Sequence, residues 1–128
     1  MNLQNANLID ANLREADLRN ANLDGIKLVI ANLSGADLRG VSLRKAKLVG
    51  AILNDVQLNN GDLSRADLSD AQLRNAQLVG AILKEANLSG ADLSGANLQG
   101  ANLEAVNFSD VNLTGAIMPD GTIFKSLM

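Results

Sequence analysis

The chain of 128 residues contains no Cys, His, Trp or Tyr, a single Pro and only two Phe. Without Cys there is no disulfide staple and no thiol nucleophile. Without His there is no Ser-His-Asp triad and no imidazole ligand for a metal. The shortage of aromatic rings removes the platforms on which single-stranded nucleic acids stack. Uninterrupted apolar runs extend only a few residues, as from Leu28 to Ala31. Neither a transmembrane span nor a secretory leader fits such runs, and a cytoplasmic location is expected. The 11 basic and 14 acidic side chains leave a formal charge of −3, which speaks against binding to a phosphate backbone. Apolar residues make up 47% of the chain, enough for one compact domain rather than a disordered tail.

What is present is a strict period of five. Leu stands at every fifth position from Leu3 through Leu103, and Phe108, Leu113, Met118, Ile123 and Met128 continue the phase. Two residues before each of these, Ala dominates; the exceptions between positions 6 and 116 are Ile26, Val41, Val56, Gly61, Val106 and Val111. The residue between is mostly Asn or Asp, as in Asn7, Asn12, Asp17 and Asn22.

Neither regular element explains this spacing. On an α-helix five residues advance about 500°, so successive leucines would scatter around the axis. On a straight strand an odd spacing sends alternate leucines to opposite faces. A chain that bends the same way once per pentapeptide, however, points every Leu and Ala inward. Stacked coils of such a chain exchange backbone hydrogen bonds about 4.8 Å apart. The bends are visible two places after each Leu, where most residues are Gly, Asn or Asp, the types that accept the positive φ of a type II turn.

Ala-Asn-Leu or Ala-Asp-Leu recurs at 6–8, 11–13, 16–18, 21–23, 31–33, 36–38, 66–68, 86–88, 91–93, 96–98 and 101–103. In this the chain resembles the pentapeptide-repeat family, whose consensus is A(D/N)LXX, over about residues 2–118. The resemblance implies an all-β fold, a right-handed quadrilateral parallel β-helix with four pentapeptides per coil and about six coils. Two sequence features agree with a coil of twenty residues. Lys27 and Lys47 replace Asn twenty apart, and Val29 and Val49 follow their leucines at the same interval. Val41 would then lie against Gly61 in one inner column, large beside small. A triangular coil of fifteen residues is the alternative. Leu23, Leu43, Leu63, Leu83, Leu103 and Phe108 are assigned to the core.

Lys45, Arg65, Glu85 and Ala105 do not suit a type II turn and share one corner of a twenty-residue coil, so this edge is expected to use another turn class. Glu15 and Ile30 are isolated exceptions. Residues 1–118 read as the β-helix. Pro119-Asp120-Gly121 breaks the pattern, and residues 119–128, with Ile123, Phe124, Leu127 and Met128, read as a short cap with room for one helical turn. The first coil has no such cover, which would favour end-to-end pairing of two chains.

No constellation of catalytic groups emerges. The GxxxxG spacings, such as Gly35/Gly40, follow from the period, and no Gly-Lys-Ser/Thr completes a phosphate loop. Asp17, Asp37, Asp62, Asp67 and Asp92 form rungs of a solvated outer wall rather than an acid–base pair. A basic region around Lys27, Lys47, Lys45 and Arg65, with Arg44, Lys84 and Arg39 nearby, reads as surface charge pairing. The informative departures are apolar residues on outward positions: Ile9, Val29 and Val49 in one column, Ile30 at the adjoining corner and Ile52 on the next face. Such a stripe marks an interaction surface.

The expected function is a non-enzymatic scaffold or protein-binding module, with no cofactor or metal, no membrane and no nucleic acid, through a protein partner or self-association. The alternative follows from the resemblance. Some family members counter topoisomerase inhibitors by imitating duplex DNA with a strongly anionic rod, whereas here the charge is only −3 and no loop interrupts the register.

Overall fold

The computed structural model describes residues 1–125; Leu127 and Met128, assigned to the cap, lie outside them. Every parallel backbone pairing joins residue i to residue i+20, from Asn2 with Asn22 up to Asn97 with Ile117. The coil is therefore square, four pentapeptides to a turn, and the fifteen-residue alternative is excluded. Four flat walls result. Wall one is centred on Leu3, wall two on Leu8, wall three on Leu13 and wall four on Leu18, each continuing every twentieth residue. Coil one is residues 1–20, and so on up to coil six, residues 101–120.

The leucines and alanines fill the interior. Leu23, Leu43, Leu63 and Leu83 are buried, as are Ala31, Ala51, Ala71 and Ala91. Each fully buried Leu is worth about 1.5–3 kcal/mol. Among the described residues no polar or charged side chain is buried. Val41 does lie against Gly61: a Cβ added at Gly61 would sit 3.4 Å from Val41 Cγ1 and 3.2 Å from the Leu58 carbonyl oxygen. Volume lost at one level is thus taken up by its neighbour.

Leu103 and Phe108 depart from the expected core. Both are only partly buried, with Val106, Val111 and Met118. They belong to the last coil, where no further coil stacks above them. Leu3, Leu8 and Leu13 are half-buried at the opposite end for the same reason.

Each corner closes by a turn in which the N–H three residues after Leu donates back to its carbonyl, as Ala6 to Leu3 at 3.1 Å. The third residue of the turn has positive φ at every corner from Asn5 to Gly115, as a type II turn requires. This overturns the separate turn class expected for Lys45, Arg65, Glu85 and Ala105, whose φ values are 58°, 60°, 61° and 58°. Glu15 at 59° and Ile30 at 54° follow the same rule. A left-handed conformation costs such residues roughly 1–2 kcal/mol. It also aims their N–H along the coil axis: Lys45 donates to Ser64 at 2.9 Å, Arg65 to Lys84 at 2.9 Å and Glu85 to Glu104 at 2.8 Å. An inter-coil bond left unmade would cost about as much again, so stacking overrides local preference.

After coil six, Pro119-Asp120-Gly121 reverses the chain. Met118 N–H donates to Thr122 at 2.7 Å and Phe124 N–H to Ala116 at 2.8 Å, and Ile123 pairs antiparallel with Ile117. Through Lys125 this segment is a hairpin along the edge of wall four and makes no helical turn. Ile123 and Phe124 are exposed, while the segment bonds along the open edge of coil six, where Leu113 and Ala116 are buried.

Candidate functional site

Wall two shows how the backbone of one pentapeptide is satisfied. Lys27 N–H donates to Ala6 at 2.9 Å, Leu28 to Lys47 at 2.8 Å, Ile30 to Val49 at 3.0 Å and Ala31 to Leu28 at 3.0 Å. Four of five N–H groups thus find main-chain acceptors. The fifth, on the residue after Leu, points outward and has none. In most repeats the side chain before Leu supplies the acceptor: Asn7 Oδ1 takes Ile9 N–H at 3.2 Å, Asp67 takes Ser69 at 3.1 Å and Asn87 takes Ser89 at 2.9 Å. This Asx-type bond explains why Asn and Asp occupy that position. The sequence shows the preference plainly, but only the orientation of the orphan N–H reveals its cause.

Where the acceptor is missing, a side chain of the coil below substitutes at three sites, Arg44, Arg74 and Val79. Arg44 N–H is taken by Asp24 from the coil below at 3.0 Å, and Val79 N–H by Asn59 at 2.9 Å. At the last such site Ile117 precedes Met118 and Pro119, which has no N–H to satisfy. Coils two and three of wall two have no substitute. Lys27 and Lys47 offer no acceptor, and among the described residues neither Val29 nor Val49 N–H has a protein partner; the N–H groups of Asn54, Asn59 and Lys84, on other walls, are open in the same way.

The apolar stripe is built on this same wall. Ile9, Val29 and Val49 stack in one column, as the bonds from Asp10 to Val29 and from Ile30 to Val49 require. Ile9 and Ile30 are exposed, while Val29 and Val49 are half-buried. Ile30 lies over the next corner, so a Cβ added at Gly50 would meet its Cγ2 at 3.4 Å. Ile52 is half-buried on wall three, beyond Gly50. Ile82, which carries no role in the stripe, is exposed on wall one.

Along the corner between walls one and two runs an open groove of about 920 Å³. Lys27, Arg44, Lys45, Lys47, Arg65 and Lys84 line it, with Asp24 and Glu85 the only carboxylates. Arg44 is held by Asp24 at 2.8 Å and Arg65 by Glu85 at 2.8 Å, and Lys84 reaches Glu104 at 3.9 Å. Among the described residues Lys27, Lys45 and Lys47 form no ion pair. The pairing expected for this whole region therefore holds for its arginines and not for these three lysines. Arg39, counted with the region from sequence, stands elsewhere: it binds Asp37 on wall four at 2.7 Å.

The carboxylates behave as structural partners. Arg19, through its guanidinium and then its main-chain N–H, holds Asp17 down at about 2. Asp37 is lowered in the same way by Arg39. Partial burial pushes Asp24 up, but bonds from Arg44 and Ser42 outweigh it and the net shift is downward. Among the described residues no three His, Cys, Asp or Glu side chains gather to hold a metal, and no helix is long and apolar enough to cross a membrane.

The family model for pentapeptide repeats matches the chain in overlapping segments 2–29, 16–55, 31–70, 51–90 and 81–120. Among solved structures, a pentapeptide repeat protein from the Arabidopsis thaliana thylakoid lumen is 31% identical over 88% of this chain and 71% of its own, with a TM-score of 0.64. A trypsin-treated variant of QnrB1, a plasmid-mediated fluoroquinolone resistance protein, is 26% identical over 86% of this chain, with a TM-score of 0.63; the match spans 63% of its length. No curated protein matches the chain in sequence. The square coil, the Leu-filled interior and these likenesses agree on a right-handed quadrilateral β-helix, and the chain belongs to the pentapeptide-repeat family.

Proposed function

We propose that the protein is a non-enzymatic scaffold or protein-binding module whose contact surface is the stripe Ile9, Val29, Ile30, Val49 and Ile52. The observation that carries this reading is Ile30. A β-branched residue at φ 54° is strained, yet the residue is 52% exposed and so recovers little by burial in the free protein. Nearly every other outward corner carries a small or polar residue. The corner itself gains an inter-coil bond with any residue, so a bulky apolar side chain kept there at the cost of strain points to use at a surface. The neighbouring valines extend the same apolar patch, as an interaction site requires.

Replacing Ile30 by Asn separates the two roles. Asn tolerates the left-handed region, so the thermal midpoint should rise by a few degrees, consistent with relief of about 1 kcal/mol. Self-association or partner capture should fall, as it should in Val29→Ser with Val49→Ser, where the fold stays intact. Unchanged mass by light scattering at matched concentration, together with unchanged pull-down partners, would remove the stripe from consideration.

The likeness to a fluoroquinolone resistance protein raises a second reading, a DNA-mimicking inhibitor of a topoisomerase. Duplex mimicry calls for a continuous anionic rod, and the cationic groove interrupts it over coils two to five. Inhibition of gyrase supercoiling by the purified protein would favour this reading over the scaffold.

A further inference from the structure

We propose that the groove between walls one and two, with the adjoining lower half of wall two, binds a short acidic segment of a partner protein. This names the chemistry of the partner and rests on the protein-binding reading above. The groove takes six of the chain's 11 basic side chains and two of its 14 acidic ones, a local formal charge of +4 against −7 on the remainder. Lys27, Lys45 and Lys47 are the cations there without an ion pair among the described residues. Beside Lys27 and Lys47, one coil apart, stand the outward N–H groups of Val29 and Val49, which elsewhere on this wall are taken by an Asn or Asp oxygen. The substitution of Asn by Lys thus does two things at one place: it removes an internal acceptor and adds a positive charge. An incoming carboxylate fits both vacancies, as a charge-assisted acceptor.

A peptide suits the site better than a nucleic acid. The two arginines able to grip a phosphate with a fork are already held by Asp24 and Glu85. No aromatic ring lines the groove for base stacking. The cations from Lys27 to Lys84 extend over three coil steps, roughly 15 Å, the reach of four or five extended residues.

The test is fluorescence anisotropy with a labelled octaglutamate peptide, against octaserine and an eight-nucleotide single-stranded DNA. Octaglutamate should bind and octaserine should not. Binding should weaken as salt rises from about 50 to about 300 mM. Lys27→Glu with Lys47→Glu should weaken it about tenfold at an unchanged melting temperature, while Arg14→Gln on wall three changes it less than twofold. In amide spectra, Val29 and Val49 should shift on titration and Ser69 and Ser89 should not. Absence of octaglutamate binding, an unchanged affinity in the double reversal, or tighter binding of the oligonucleotide would each overturn the proposal. Octaglutamate carries no apolar anchor, so its failure would remove the groove and leave the stripe to its own light-scattering test.

Discussion

Two halves of wall two have the same interior and different surfaces. Above, Asp67-Leu68-Ser69 and Asn87-Leu88-Ser89 close the outward N–H on their own side chain. Below, Lys27-Leu28-Val29 and Lys47-Leu48-Val49 leave it open beneath a cation and an apolar residue. Leu28, Leu48, Leu68 and Leu88 are equally buried in both halves. The comparison teaches that inner columns specify the coil, whereas the residues flanking each Leu are free to vary once the N–H account has another solution. A solenoid can therefore change its surface locally without altering its fold.

The largest expected effect tests the shared interior. Leu48→Lys and Leu68→Lys each place an unpaired charge in the dry column, and either should abolish cooperative unfolding at 25 °C by circular dichroism. The same should hold for Leu63→Lys on wall one. Tolerance of Lys at Leu48 alone would show that the lower half is packed differently, and the comparison would fail at its root.

The next effect tests the surface difference by exchanging it. Asp67→Ala leaves the Ser69 N–H without its acceptor and should lower stability by about 1 kcal/mol. Lys47→Asn supplies Val49 with one and should raise stability by about 0.5–1 kcal/mol. Hydrogen exchange at Val49 should slow in the second variant and that at Ser69 quicken in the first. Shifts of the same sign in both variants would break the account.

The smallest effect concerns acid. Asp17 sits at about 2, and Asp24, Asp37 and Asp120 are also lowered. A carboxylate whose folded pKa lies below its unfolded value stabilises the fold fully above the unfolded value and loses that contribution as pH falls through the folded one. The melting temperature should thus be flat from about pH 7 to 5 and decline from about pH 4 towards 2. Coils two and three of wall two carry no carboxylate, so Lys27→Gln with Lys47→Gln should leave this decline in place. Arg19→Ala should blunt it.

The fold was legible because its signal is carried by one repeated spacing. Leu every fifth residue admits no helix or straight strand, and the Lys27/Lys47 and Val41/Gly61 coincidences suggest the twenty-residue coil. The stripe was legible as departures from that pattern. The corner at Lys45, Arg65, Glu85 and Ala105 was misread because propensity is a local quantity, while at the first three the inter-coil bonds that favour positive φ come from residues nineteen positions away. Leu103 and Phe108 were misread for a related reason: the period marks which way a side chain points, not whether another coil covers it.

The sequence by itself determined the inward columns, the bend every five residues and the absence of thiol and imidazole chemistry, since each follows from residue type and spacing alone. Only the tertiary structure decided which N–H groups lack an acceptor and which cations share a groove. It also decided that the arginines of that groove are occupied while three lysines are not. Those facts depend on side chains brought together from successive coils, and stacking is what sets the distances between them.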